Sequence, residues 1–534
     1  MTTSQTPPAD LTRLARGGAI NLVGAMCAGL MGFALIVTVA RTYAPAVAGA
    51  FFAAMSLFII LNAVAGLGTD AGLLRWLPRH LALGARVSAR RTVPIALVPV
   101  VATAFVAALA LALAAPWLAG LIDSGGAGQA TGMLRIMAVF LPVAAAQDAL
   151  LAATRGYDSM RPTVLVDKIF RQVSQVGAVL VAYALSGGPE VLALAWSAPY
   201  VPGLIAAAVA YRGLSRRAGT RRAAAPADGD AELGPRELAG EFWRFTAPRS
   251  VAQICQTALQ RSDIVLIAAL SSPKDAAIYT AASRFVVFGQ LAAQAVQQVM
   301  QPAVSRLLAI GDRDGAQRVL AVSSTWTVVI TWPLYLALAV GAHTFLTIFS
   351  PEYAAEGQAA TVILAVTMLL AAAVGPADVV LIMAGRSGLS LANNSVSLAV
   401  NLALNVVLIP VLGVTGAALA RAAALATRNL LPLVQIRRLL GMGPSGAGLF
   451  TSIAYATVCF GMLSIVAQVG LGRNVFALLT GLVLGTAGYL ALLWAGRERL
   501  ALTAFKALVT RRRGGAHPPV AVTTPPEQTG AAHG

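Results

Sequence analysis

Apolar runs of about twenty residues recur along the whole chain, separated by short segments rich in Arg, Gly and Pro. A helix of that length crosses the hydrocarbon core of a bilayer, so each run predicts a membrane span. Fourteen runs can be drawn: 18–40, 47–67, 94–119, 132–153, 164–185, 190–211, 246–270, 277–301, 321–349, 359–384, 390–411, 414–435, 448–470 and 475–495. Several carry polar residues that lipid rejects. Arg249, Gln253, Gln256, Gln260 and Asp263 recur at intervals of four and three, which at about 100° per residue places them in one stripe of the seventh span. Ser283, Gln290, Gln294, Gln297 and Gln301 share a face of the eighth. Lys168, Arg171, Gln172 and Gln175 do so in the fifth, and Ser390, Asn394, Ser397, Asn401 and Asn405 in the eleventh. Wet stripes on membrane helices imply a polar cavity between them.

Composition agrees. The 534 residues are 58% hydrophobic and 11% charged, with mean hydropathy +0.76. A soluble protein carries about 25% charged residues. The net charge of +18 does not point to nucleic acid, because most of the 39 Lys and Arg residues fall in loops on one side of the predicted spans. The opposite loops hold only Lys274 and Arg473. This asymmetry predicts cytoplasmic N- and C-termini, an even number of spans and a plasma-membrane location. Cys27, Cys255 and Cys459 lie in separate spans and read as small buried hydrophobes; no Cys/His spacing suggests a metal. The segment 1–17 is short and polar with no cleavage signal, so the first span is expected to be retained.

The longest basic loop, 212–241, is rich in Arg, Ala, Asp and Pro and reads as a flexible linker; the tail 497–534 reads as largely disordered. The flanking halves resemble each other. A shift of 228 residues carries Pro45 onto Pro273, Ala40 onto Ala268, Phe51 onto Tyr279 and Ala53-Ala54 onto Ala281-Ala282. An even number of spans per copy orients both alike, about an axis along the membrane normal, with the substrate site between them. The expected units are a cytoplasmic N-terminus (1–17), an N-lobe (18–211), the linker, a C-lobe (242–440), two further spans (441–496) and the tail.

The segments 14–52 (LARGGAINLVGAMCAGLMGFALIVTVARTYAPAVAGAFF) and 67–84 (LGTDAGLLRWLPRHLALG) resemble bacterial polysaccharide flippases of the multidrug/oligosaccharidyl-lipid/polysaccharide exporter superfamily. So do 155–172 (RGYDSMRPTVLVDKIFRQ) and 401–420 (NLALNVVLIPVLGVTGAALA). The resemblance covers roughly residues 14–440. It implies an all-α membrane protein of about 14 helices, in two six-helix lobes with pseudo-two-fold symmetry around a cationic cavity, plus two C-terminal helices. It also implies a cargo, an oligosaccharide on a polyprenyl diphosphate, moved from the inner to the outer leaflet.

Buried guanidinium groups suit such a cargo, because they grip phosphate oxygens in pairs. The in-span candidates are Arg41, Arg135, Lys168, Arg171, Arg249, Arg261, Arg284 and Arg421. Lys168, Arg171 and Arg249 are expected in the cavity, with Gln253, Gln256, Gln260, Arg284 and Asn401 as further substrate contacts. Arg261 and Arg284 lie about 120° from their helices' stripes, a position that also fits a structural role. The stripe containing Asn401 fits sugar binding or helix–helix bonding. Asp148 and Asp263, well inside spans, are the candidates for coupling to H+ or Na+; the alternative is that each neutralises an arginine. No catalytic residue, metal or cofactor is expected. Gly441 to Gly446 matches G-x-G-x-x-G but follows a membrane helix rather than a strand, so it is not read as a phosphate loop. Rival functions are a multidrug/cation antiporter of the same superfamily, a peptidoglycan lipid-precursor flippase, and a membrane glycosyltransferase or ligase. Mainly basic in-span residues disfavour cationic drugs, and short outer loops leave an enzyme little room.

Overall fold

The computed structural model describes residues 8–122, 129–220, 234–444, 446–472 and 474–497, and all regular structure among them is helical. The first half comprises α1 (Pro8–Thr42), α2 (Pro45–Ala65), α3 (Thr69–Ala82), α4 (Arg86–Ile122) and α5 (Gln129–Gly156). A π-helical segment, Thr163–Arg171, then runs into α6 (Gln172–Ala184), and α7 (Pro189–Ser197) and α8 (Tyr200–Thr220) follow. The second half comprises α9 (Pro235–Leu270), α10 (Pro273–Ala309), α11 (Arg313–Val340), α12 (Ala342–Leu346), α13 (Pro351–Val374), α14 (Ala377–Met383) and the long α15 (Ser387–Leu440). The chain ends in α16 (Ala447–Ala456), a π-helical turn Thr457–Met462, α17 (Leu463–Leu471) and α18 (Val475–Ala495).

Eleven of these segments are long and apolar enough to cross a membrane. Segment 163–184 and the polar α9 are the further crossings, and α15 divides in two at Gly413, where φ 51 and ψ −127 break the helix. The described helices therefore accommodate fourteen passes. Many start at proline in the first turn, where a missing N–H costs nothing: Pro45, Pro189, Pro235, Pro273 and Pro351. Ser272, Ser350, Asp312 and Asn474 cap their helices with a side-chain oxygen.

Three points differ from the sequence reading. The segment around Trp76, which lies between the spans drawn at 47–67 and 94–119, is the helix α3. The ninth and tenth spans end earlier than drawn, because Gly341 and then Gly375-Pro376, with φ +73 at Gly375, interrupt them. The linker is shorter than 212–241, since α8 reaches Thr220 and α9 begins at Pro235. Its remaining core, 221–233, lies outside the described residues, as do 1–7 and the tail 498–534.

The core is built on small residues. Ala48, Gly49, Ala50, Ala53 and Ala54 of α2 are buried, as are Ala276, Ala277, Ala281 and Ala282 of α10. Such residues let membrane helices approach closely. At Gly49 an added Cβ would sit 1.5 Å from the Pro273 carbonyl oxygen. The two prolines matched by the internal repeat thus start two helices that meet at the seam of the halves. Phe105, Val106, Leu109 and Leu113 of α4 point outward, as a lipid-facing surface requires.

Candidate functional site

A chamber of about 650 Å³ lies at that seam. Its walls come from α1, α2, α3, α5, the π-helical segment, α6, α7 and α8 of the first half, and from α9 and α10 of the second. It carries five basic residues, Arg155, Lys168, Arg171, Arg261 and Arg284, against three carboxylates, Asp70, Asp148 and Asp167. Formal charge is therefore net positive.

The polar stripe of the fifth span is present as a face. Lys168, Arg171, Gln172 and Gln175 all line the chamber, with Thr163 and Asp167. The π-helical pairing (i to i+5) widens the turn here, which keeps residues four and five apart on one side; such turns recur at functional sites. Gly24 lets α1 approach this segment: a Cβ there would be 2.7 Å from Val164 and 3.1 Å from Lys168. Lys168 Nζ consequently reaches Asn21 Oδ1, donating at 2.7 Å.

The first-half charges are largely matched. Arg171 donates from Nε to Asp167 Oδ1 at 3.0 Å and from Nη1 to the Tyr200 hydroxyl at 3.2 Å, its guanidinium lying 5.0 Å over the Tyr200 ring. Arg155 pairs with Asp70 at 3.1 Å. Asp148 accepts from Asn62 Nδ2 at 2.8 Å and has no ion-pair partner among the described residues. The second-half charges are not matched. Arg261 and Arg284 enter the chamber with no carboxylate within ion-pair distance among the described residues, and Arg284 Nε is buried without a hydrogen-bond partner.

The other candidates are dispersed. The chamber face of α10 is Arg284, Val287, Phe288 and Leu291, not the glutamine stripe. A smaller cavity of about 160 Å³ adjoins the chamber, sharing Asn62, Asp70 and Asp148; Gln253 and Thr257 of α9 line it. The inward row of α9 is thus Gln253, Thr257 and Arg261, of which only Gln253 belongs to the expected stripe. Arg249, Gln256 and Gln260 are exposed and line neither cavity. Periodicity finds residues that share a face, but neighbouring helices decide which face turns inward.

Asp263 and Asn401 have the surroundings of the structural alternatives that the sequence left open. Asp263 is 1% exposed and lies among α9, α10 and α15. It accepts from the Tyr279 hydroxyl at 2.9 Å and from Asn405 Nδ2 at 2.8 Å, and Arg421 lies 3.5 Å away. Asn401 is fully buried and its Oδ1 accepts from Ser262 at 3.3 Å. Asn393 and Gln435 exchange two hydrogen bonds, at 2.7 and 2.9 Å, and Ser397 donates to the Ala424 carbonyl. The stripe of the eleventh span binds helices together. Arg41 is exposed and donates to the Ile348 carbonyl at 2.6 Å, and Arg135 is exposed. Of the cysteines only Cys459 is buried; Cys27 and Cys255 are half-exposed.

Membrane helices in two halves around a polar seam chamber define a multi-pass membrane transporter. Residues 14–308 match the family described as polysaccharide biosynthesis protein, and residues 248–407 match MatE. The first match spans more than half of the chain, and the chain belongs to the polysaccharide biosynthesis protein family, within the flippases and transporters of the exporter superfamily. No curated protein matches it. Among solved structures it is similar to the lipid II flippase MurJ in an inward closed conformation, with TM-score 0.65, 12% identity, and coverage of 89% of this chain and 98% of that one. It is also similar to an inward-facing multidrug resistance MATE family transporter of the MOP superfamily, with TM-score 0.57, 15% identity, and coverage of 78% and 94%. A third likeness is to a MOP superfamily transporter from Pyrococcus furiosus, with TM-score 0.52, 15% identity, and coverage of 81% and 96%. At these identities the likeness is one of fold.

Proposed function

We propose that the protein is a flippase for a polyprenyl-diphosphate-linked oligosaccharide, carrying its headgroup from the inner to the outer leaflet. The observation that carries this reading is the pair Arg261 and Arg284, two cations without carboxylate partners among the described residues, in a net-positive chamber. Holding charge away from water without a counter-ion is costly, so the site is built for an anion that arrives with the cargo. Arg171 and Lys168 complete the cationic wall, and Gln172 and Gln175 offer amides to sugar hydroxyls. The prenyl tail stays in lipid while the two lobes rock about the chamber. The basic loops face the cytoplasm. Asp148, the chamber carboxylate without an ion-pair partner among the described residues, is the group we assign to H+ or Na+ coupling; Asp263, already used by Arg421, Tyr279 and Asn405, is not. A cationic drug would meet like charge in this chamber.

The test is reconstitution in liposomes with a fluorescent polyprenyl-diphosphate-linked sugar. Each guanidinium contributes charge-assisted hydrogen bonds worth roughly 1.5–3 kcal/mol, so Arg284→Gln or Arg261→Gln should weaken binding at least about tenfold. Unchanged transport by both variants would remove the diphosphate reading and leave only the transporter fold.

A further inference from the structure

Between α3 of the first half and α9 of the second, the backbones nearly touch. A Cβ at Gly72 would meet Thr246 Oγ1 at 2.4 Å and the Phe242 ring at 2.7 Å, and one at Gly68 would meet the Ser250 nitrogen at 2.8 Å. This contact closes the seam on the side of the basic loops. On its outer edge three arginines gather. The Arg75 guanidinium lies 4.1 Å from the centroid of Phe245, and that of Arg249 lies 4.7 Å from the same ring. Arg79 covers Trp76 at 5.1 Å. All three arginines are exposed, and none has an ion-pair partner among the described residues.

One ring therefore gathers a cation from each half of the protein. Two like charges on one ring repel, and a ring face is a weaker partner for a guanidinium than phosphate oxygens. The residues behind the pair continue inward. Arg249, Gln253, Thr257 and Arg261 follow at steps of four, so they form one row along α9. Gln253 and Thr257 line the small cavity, and Arg261 lines the chamber. At 1.5 Å per residue the row spans ~18 Å. It joins the outer edge of the seam to the unpaired cations inside.

We propose that Arg75 and Arg249 form a portal subsite for the phosphate-bearing headgroup of a lipid. The headgroup displaces both guanidiniums from Phe245, loosens α3 from α9, and passes along the α9 row to Arg261. This rests on the reading of the chamber as a lipid-diphosphate carrier. It gives Arg249, which the chamber does not use, a role in admission rather than retention.

The experiment is stopped-flow binding of a fluorescent farnesyl diphosphate to the purified full-length protein in phosphatidylcholine nanodiscs. The double variant Arg75→Gln/Arg249→Gln should associate about tenfold more slowly and lose most of the salt dependence of the rate, with dissociation little changed. Arg75→Lys/Arg249→Lys, which keeps the charge, should retain most of the rate. The pair Arg261→Gln/Arg284→Gln should instead raise the dissociation rate. Inorganic pyrophosphate should slow probe association to the wild type and not to the first double variant. An unchanged association rate in that variant overturns the portal. If the chamber variants also bind normally, the carrier reading fails with it; if they lose affinity, the carrier reading stands alone. An association rate that depends on added phosphatidylglycerol and is indifferent to pyrophosphate also overturns the portal, making the arginines an anchor for bulk anionic lipid.

Discussion

Asp263 and Arg261 stand two residues apart on α9 and have opposite roles, because successive side chains on a helix diverge by about 100°. Arg261 enters the chamber unpaired, whereas Asp263 turns into the second half and is held there by Tyr279, Asn405 and Arg421. Removing one partner of a buried pair leaves a charge uncompensated, at a cost of about 3–5 kcal/mol. Asp263→Asn should therefore lower the thermal unfolding temperature of the detergent-solubilised protein by several degrees. Arg421→Leu on top of it should recover part of the loss. Equal stability of Asp263→Asn and wild type would show that the pair is not a strut. The sequence set Arg261 about 120° from the stripe that holds Asp263, but not which of the two faces turns to the chamber. Asp263 and Asn405 are 142 positions apart, and no local pattern joins them. Lys168 and Arg171 were legible because their whole stripe turns one way, whereas α9 is polar on more than one face.

At the scale of elements, hydropathy and length sufficed for most of the architecture, because lipid permits little besides helix. It failed at Gly341 and at Gly375-Pro376, which interrupt apolar runs drawn as single spans, whereas the break between 390–411 and 414–435 fell where the sequence put it. Gly413 divides α15 with a backbone conformation that a side chain tolerates poorly, at a cost of about 1–3 kcal/mol. The nearest atoms to a Cβ there are Asp275 Oδ2 at 3.5 Å and Ser271 Oγ at 3.7 Å, so the strain is in the backbone and not in crowding. Gly413→Ala should lose about that much stability, read as a lower midpoint in thermal denaturation. Gly388→Ala, near the start of the same helix with open space around it, should lose nothing. Equal midpoints for the two variants would sink the argument. The helix α3 was missed for a different reason. Its Arg, His and Pro residues keep it out of the apolar runs, while its apolar side, Leu73, Trp76 and Leu77, is buried against the rest of the protein.

At the scale of the whole molecule, a rocking carrier needs seams that are close but not locked. Gly49 supplies one of them. A methyl group there would meet the carbonyl of Pro273 at 1.5 Å, and a carbonyl cannot swing aside as a flexible side chain can. Ordinary contact needs about 3.5 Å, so α2 and α10 would have to part by ~2 Å at this end. That wedge acts on the side of the loops 42–46 and 271–276, away from the contact between α3 and α9. In the rocking motion proposed above, propping one side apart favours closure of the other. Gly49→Ala should therefore remain folded yet favour the state open at the 42–46 side. Spin labels at Ala46 and Ser271, both exposed, should move apart. A bias of 1.4 kcal/mol is a tenfold change in population, so transport should fall severalfold as the return to the other state becomes rare. Labels that keep their wild-type distance, together with unchanged transport, would mean that this seam is a fixed part of the scaffold and that the motion lies elsewhere.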